Sequence, residues 1–185
     1  MLHRPVIAAL PGRYRLYARG MAVKARADIA NTAVRIFLQD FGAAYDEMRD
    51  LPKYMKGKHF PEVRKFFGER CCYCGVDFGP GHPAVEDHLI PMSKKDLGLH
   101  AWGNIVAACA ECNAAKQARP WHEVIAERAG PDAAERYKRI QDFVKVYKYA
   151  PAFDLGNATA DLYAEVGDVA MALIRTKIQR LRATL

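Results

Sequence analysis

The sequence predicts an α+β chain in which a cysteine-rich centre is flanked on both sides by helical segments. Two observations predict the arrangement. Apolar residues recur at steps of three and four before residue 50 and again after residue 130, and two Cys-x-x-Cys turns bracket the stretch between residues 71 and 112. The β component follows from the motif lying between those turns.

At 185 residues the chain is long enough for one domain, or for one compact module with helical additions. With 51% hydrophobic and 26% charged residues it is neither of disordered nor of fibrous composition. No apolar run nears the roughly 20 residues that cross a bilayer, and the opening Met1-Leu2-His3-Arg4-Pro5 lacks the apolar core of a secretory signal. A cytoplasmic protein with no membrane partner is the expectation.

The net charge is +7, and residues 1–70 carry 14 Lys and Arg against 7 Asp and Glu, whereas residues 71–185 carry 14 against 14. The surplus therefore sits in the first segment, as a polyanionic partner would require. A solvated basic face would give the same charge.

Taken in order, residues 1–20 mix Pro5, Pro11, Gly12 and Gly20 with Arg13, Arg15, Tyr14 and Tyr17, which predicts an extended basic arm. From Met21 to Met48 the spacing of Ala30, Val34, Phe37, Phe41, Tyr45 and Met48 predicts an amphipathic helix. Pro52 and Gly57 break it. Residues 53–70 form the densest basic stretch, interleaved with Tyr54, Phe60, Phe66 and Phe67. These rings can stack on bases, although Phe66 and Phe67 are better placed to anchor a short helix to the core. Asp132 followed by Glu135 reads as a capping box, opening a helix whose apolar positions are Tyr137, Ile140, Val144 and Tyr147 and which Pro151 stops. A last helix is expected from Thr159 to Leu181, with Leu162, Val166, Val169, Leu173, Ile174, Ile178 and Leu181 on its apolar side. The predicted organisation is a basic arm and helix over 1–70, a core over 71–119 and a helical segment over 120–185.

Cys71, Cys74, Cys109 and Cys112 supply the core's strongest signal. In each Cys-x-x-Cys turn two thiolates reach one tetrahedral ion at about 2.3 Å, and two turns close a four-sulfur shell. Such a shell leaves no position for water, so a structural Zn2+ is predicted, joining turns separated by 34 residues. Redox-active or merely buried thiols are the alternative. Cys72 is the spare, assigned to packing or to the surroundings of the ion.

Between the turns runs Val85-Glu86-Asp87-His88-Leu89-Ile90-Pro91, and Trp102-Gly103-Asn104-Ile105 leads into Cys109-Ala110-Glu111-Cys112-Asn113 and Lys116. The Asp-His-x-x-Pro run, the later Gly-Asn-Ile and the Cys-x-x-Cys-Asn-x-x-Lys run resemble an HNH nuclease, a His-Me finger or ββα-metal enzyme, of the four-cysteine zinc variety. The resemblance covers Cys71 to Arg119. It implies an antiparallel hairpin with strands near Val85–Ile90 and Asn104–Ala108, then a helix from about Glu111. It further implies His88 as the general base, Asp87 and Asn113 as ligands of a catalytic ion, and Asn104 as the residue that steadies the loop and the histidine. Asn113 stands where other members carry histidine, although phage junction-resolving endonucleases and CRISPR HNH nickase domains also place asparagine there.

The chemistry suits these residue types. A neutral histidine, with a pKa near 6.5, can take a proton from water, and a cation can stabilise charge on the phosphate and the leaving 3′ oxygen. A carboxylate and an amide oxygen are hard ligands, so Mg2+, or Mn2+, is expected. Protonation of His88 predicts a loss of activity below about pH 6. Lys94, Lys95 and Lys116 are candidates to neutralise phosphates of the bound strand. His82, His100 and His122 match no motif position and read as structural or solvent histidines.

The sequence-level reading is an endonuclease acting on DNA in a restriction, defence, phage or mobile-element setting, with room for a homodimer to cut both strands. Two rivals stand beside it: a zinc-stabilised nucleic-acid-binding module without catalysis, and an HNH nuclease that cleaves RNA.

Overall fold

The computed structural model describes residues 12–184, with side chains described from residue 24. The chain divides into two compact units, one made of residues 34–160 and the other of residues up to 33 together with those from 161 onward. No helix among the described residues is long and apolar enough to cross a membrane.

Helix α1 runs from Gly12 to Glu47, so residues 12–20 of the expected extended arm are helical, while residues 1–11 lie outside the described residues. One interior glycine, Gly20, costs a helix only about 1 kcal/mol. In the larger unit α1 buries Val34 and Tyr45 as its spacing predicts, and also Leu38, which the spacing did not include, while Phe37 and Phe41 are only half-buried and Met48 is exposed past its end. Asp46, fully buried, ties this end to two loops. Its Oδ1 accepts from Arg49 at 2.6 Å and from the Trp102 amide at 3.1 Å, and its Oδ2 accepts from the Tyr54 amide at 3.1 Å.

Helix α2, Lys56–Phe66, carries the basic stretch on its outer side and its aromatic residues inward. Phe66 and Phe67 pack on Phe143 at 4.9 and 5.0 Å between ring centroids, and Tyr54 is buried. These rings anchor the core.

The single sheet among the described residues is a hairpin of β1, Ala84–His88, and β2, Ile105–Cys109. The strands are antiparallel, with Ala84 opposite Cys109 and His88 opposite Ile105. All of β2 is buried, because α2 lies against it and α3, Ala110–Lys116, packs on both strands. The result is the ββα unit implied by the motif, with boundaries shifted by a residue or two. Helix α4, Trp121–Arg128, and a 3-10 turn, Gly130–Asp132, lead to α5, Ala133–Val146.

Asp132 stands at the N-cap of α5, yet its side chain makes no capping bond, so the expected box is not formed. Ile140 and Phe143 are buried and Tyr137 is exposed, which turns the helix slightly from the predicted face. Helix α6, Leu155–Arg182, starts earlier than expected because Asp154 caps it through the Asn157 amide at 3.2 Å. Within the smaller unit Arg26 donates to Asp168 at 2.7 Å. The supposed apolar side of α6 is not a core face: Val169, Leu173, Ile174, Ile178 and Leu181 are exposed.

Candidate active site

Cys109 closes β2 and caps α3, accepting from the Cys112 amide at 3.4 Å, so a single residue belongs to strand, helix and cysteine cluster. The opposite turn closes through the Gly75 amide on the Cys71 carbonyl at 2.9 Å, with Gly75 at φ +77°, where glycine is unstrained. The ligand atoms of Cys71, Cys74, Cys109 and Cys112 all lie within 4.8 Å of one another. The Cys74 and Cys109 sulfurs are 3.9 Å apart. Tetrahedral zinc at about 2.3 Å from each sulfur needs sulfurs about 3.8 Å apart, so the cluster is close enough to hold the ion. Hydrogen bonds from the Cys112 and Cys72 thiols hold Cys71 toward its thiolate form. Burial pushes the Cys72 thiol up, and its amide bonds the Ala107 carbonyl at 2.9 Å. Cys72 is a core residue.

Asp87 and His88 are neighbours on β1, and strand alternation sends their side chains to opposite faces. Asp87 is 7% exposed; its Oδ2 accepts from the Tyr73 hydroxyl at 2.6 Å, and the Lys116 ammonium lies 3.3 Å from Oδ2 and 3.4 Å from Oδ1. Burial pushes the Asp87 carboxyl above the usual range, and Lys116 pulls it back only in part. Lys116 also donates to the His88 carbonyl at 2.6 Å and is fully buried. It therefore braces the strand end rather than meeting a bound phosphate, which corrects the role its position suggested in the sequence. Its aliphatic stem crosses the core and its charge is engaged inside.

His88 turns the other way. Its Nε2 lies 3.1 Å from His100 Nδ1, and its Nδ1 makes no hydrogen bond among the described residues. Burial first, then the positive surroundings of His100, Lys116 and Arg35, pushes the His88 imidazole down to about 3. His100, read from the sequence as structural or solvent, thus orients the candidate base. It occupies a loop without periodicity, and nothing in its spacing marks it.

Asn104 is fully buried and clamps the loop that follows β1. Its Oδ1 accepts from the Ile90 amide at 2.8 Å, while Nδ2 donates to the carbonyls of Ile90 at 3.0 Å and Leu99 at 2.8 Å. Gly98 completes the closure, since a Cβ there would stand 1.9 Å from the Ile90 carbonyl oxygen. Lys94 and Lys95 are exposed on this loop. Asn113, half-buried on α3 beside Cys112, has no side-chain hydrogen bond among the described residues.

Two outcomes are expected from this geometry. Asn104→Ala strips partners from two backbone groups of Ile90 and from the buried Leu99 carbonyl, the last alone worth about 1–3 kcal/mol, so its denaturation midpoint should fall together with any activity. A midpoint within error of wild type would remove the clamp from the account. The second outcome concerns pH. A base held near 3 stays neutral through mildly acidic solution, so the acid limb expected near pH 6 moves lower. In the unfolded chain the same ring takes up its proton near 6.5. The stability it contributes is therefore full above pH 6.5 and lost as pH falls toward 3. A rate profile between pH 7 and 5, corrected for the folded fraction, should be free of a histidine step; a step near 6.5 would contradict the burial of this ring.

By donor chemistry, the Asp87 carboxylate and the Asn113 amide oxygen fit a hard divalent cation. Asp87 Oδ1, with only its long contact to Lys116, keeps lone-pair capacity, whereas Oδ2 is engaged by Tyr73. A cavity of about 400 Å³ lies behind the clamped loop, lined by Leu89, Ile90, Asn104, Trp121, Val144 and Tyr149 among others. It is mostly apolar and touches none of His88, Asp87 or Asn113, so it is separate from these groups. Residues 71–119 match the family model described as HNH endonuclease. No curated protein and no solved structure matches the chain.

Proposed function

We propose that this chain, which carries an HNH endonuclease domain at residues 71–119, hydrolyses phosphodiester bonds of DNA, with His88 as the base that activates water. The observation that carries the reading is the Asn104 clamp. It pins the end of the strand bearing a neutral, His100-oriented imidazole whose second nitrogen is open to a water.

His88 Nδ1 would accept the proton of the attacking water while His100 keeps the ring aimed through Nε2. Lys116 holds the strand end through the His88 carbonyl. Asp87 and Asn113 would hold Mg2+ or Mn2+, for which the Lys116 ammonium must yield the Oδ1 side of the carboxylate. When bound, the cation supplies charge stabilisation at the phosphate and at the leaving oxygen. Lys94 and Lys95, exposed beside the strand end, are placed to meet backbone phosphates. The sulfur cluster stays outside the chemistry and would hold Zn2+ to lock hairpin to helix.

The test is incubation with supercoiled plasmid, linear duplex, branched DNA and RNA, with Mg2+ or after removal of free divalent ions. Metal-dependent nicking of a DNA substrate supports the reading. Tight binding without a cut strand favours the non-catalytic module, and cleavage confined to RNA moves the substrate class.

A further inference from the structure

We infer that the chain has a second phosphate-binding site, away from the hairpin, built on Arg136 with Arg70 and Arg139. These three guanidinium groups line a polar pocket of about 380 Å³ together with Asp77, Glu135 and Phe67. No residue of β1 or β2 takes part.

Arg136 is the reason to expect an anion. It is 7% exposed, and its Nε is the single buried side-chain polar atom among the described residues without a hydrogen-bond partner. No cysteine sulfur accepts from it, although the guanidinium lies against the turn after Cys74: a Cβ on Gly75 would stand 3.1 Å from Nε. Its one ion pair among the described residues is with Glu135, at 3.7 Å and with a 73% exposed side chain. A buried cation with an idle donor is costly unless an anion completes it.

The surroundings specify the anion's chemistry. Arg70 is paired with Asp77 at 2.8 Å, and Arg139 rests on the Phe66 carbonyl at 3.0 Å, so both present guanidinium edges at the rim. The pocket holds three positive groups against two carboxylates. It also adjoins the first turn of α5 through Glu135 and Arg136. The planar guanidinium forks suit a tetrahedral oxyanion, and phosphate is the fitting class. Resting on the nuclease reading, the occupant is a backbone phosphate of the bound duplex beyond the cleavage position; a free phosphate would use the same groups.

Two arms test the site in wild type, Arg136→Gln and the surface variant Arg139→Glu, which guards against a folding defect in the first. Melting in inorganic phosphate is compared with chloride at equal ionic strength, without divalent ions. Wild type should be stabilised by phosphate and both variants should not. Fluorescence anisotropy with a labelled duplex in Ca2+ should show both variants binding about tenfold more weakly, with the salt slope reduced by about one for Arg136→Gln.

Phosphate stabilisation equal in all three proteins, or no greater than that of chloride, overturns the site. Stabilisation of wild type alone with unchanged duplex affinity overturns the backbone-phosphate occupant. Should the chain cut no nucleic acid while phosphate still stabilises wild type alone, the nuclease reading falls and the pocket stands.

Discussion

His88→Ala is expected to slow cleavage by at least about 100-fold while the melting temperature and the metal content of the cysteine cluster stay near wild type. The magnitude follows from the worth of a positioned general base, about 10²–10⁴ in rate. Sparing of the fold follows from the geometry: among the described residues the His88 side chain has one hydrogen-bond partner, His100, and Lys116 grips its backbone carbonyl, which alanine keeps. His100→Ala should act in the same direction with a smaller effect, since it frees the ring to turn without removing the base. Single-turnover rates with matched melting curves check both. Wild-type rates in His88→Ala would leave the hairpin without a base.

Cys112→Ser is expected to give the opposite phenotype, a folding failure that takes activity with it. The cluster joins the turn at Cys71 and Cys74 to the start of α3, and Cys109 is shared by strand and helix. Structural zinc in small domains supplies roughly 10–16 kcal/mol of apparent binding energy, more than most domains have as net stability. Without a closed sulfur shell, β2 loses its hold on α3, and Lys116 its place under β1. Elemental analysis should find bound zinc in wild type and little in the variant, whose thermal transition should be lowered or lost. A variant that melts and cuts like wild type would reduce the four cysteines to packing.

The hairpin, α3 and the cysteine cluster were legible because their signals are local: Cys-x-x-Cys spacing sets the turns, the Asp-His pair lies on β1, and the Asn-Ile pair marks the start of β2. Helix limits were less legible. The cap that starts α6 is Asp154, a short-range bond that apolar periodicity does not register, and a lone Gly20 did not stop α1. At the site, the partners were hidden because they come from distant positions. Tyr73 reaches Asp87 from the zinc turn, His100 reaches His88 across the loop, and Lys116 is carried inward by α3. A lysine three residues after Asn113 reads as a surface cation until the helix places it beneath the strand. The same placement sets the demand on any catalytic ion, since the Asp87 carboxylate is already compensated in part.

That demand makes substitution of the ammonium informative for later work, but the chemistry itself is tested most directly by the oxygen that enters the product. Cleavage of duplex DNA in ¹⁸O-water, followed by mass analysis of the new ends, should place one heavy oxygen on each new 5′-phosphate and leave a 3′-hydroxyl. Products without solvent oxygen, or a duplex left intact under every divalent-ion condition, would contradict hydrolysis by a histidine-activated water.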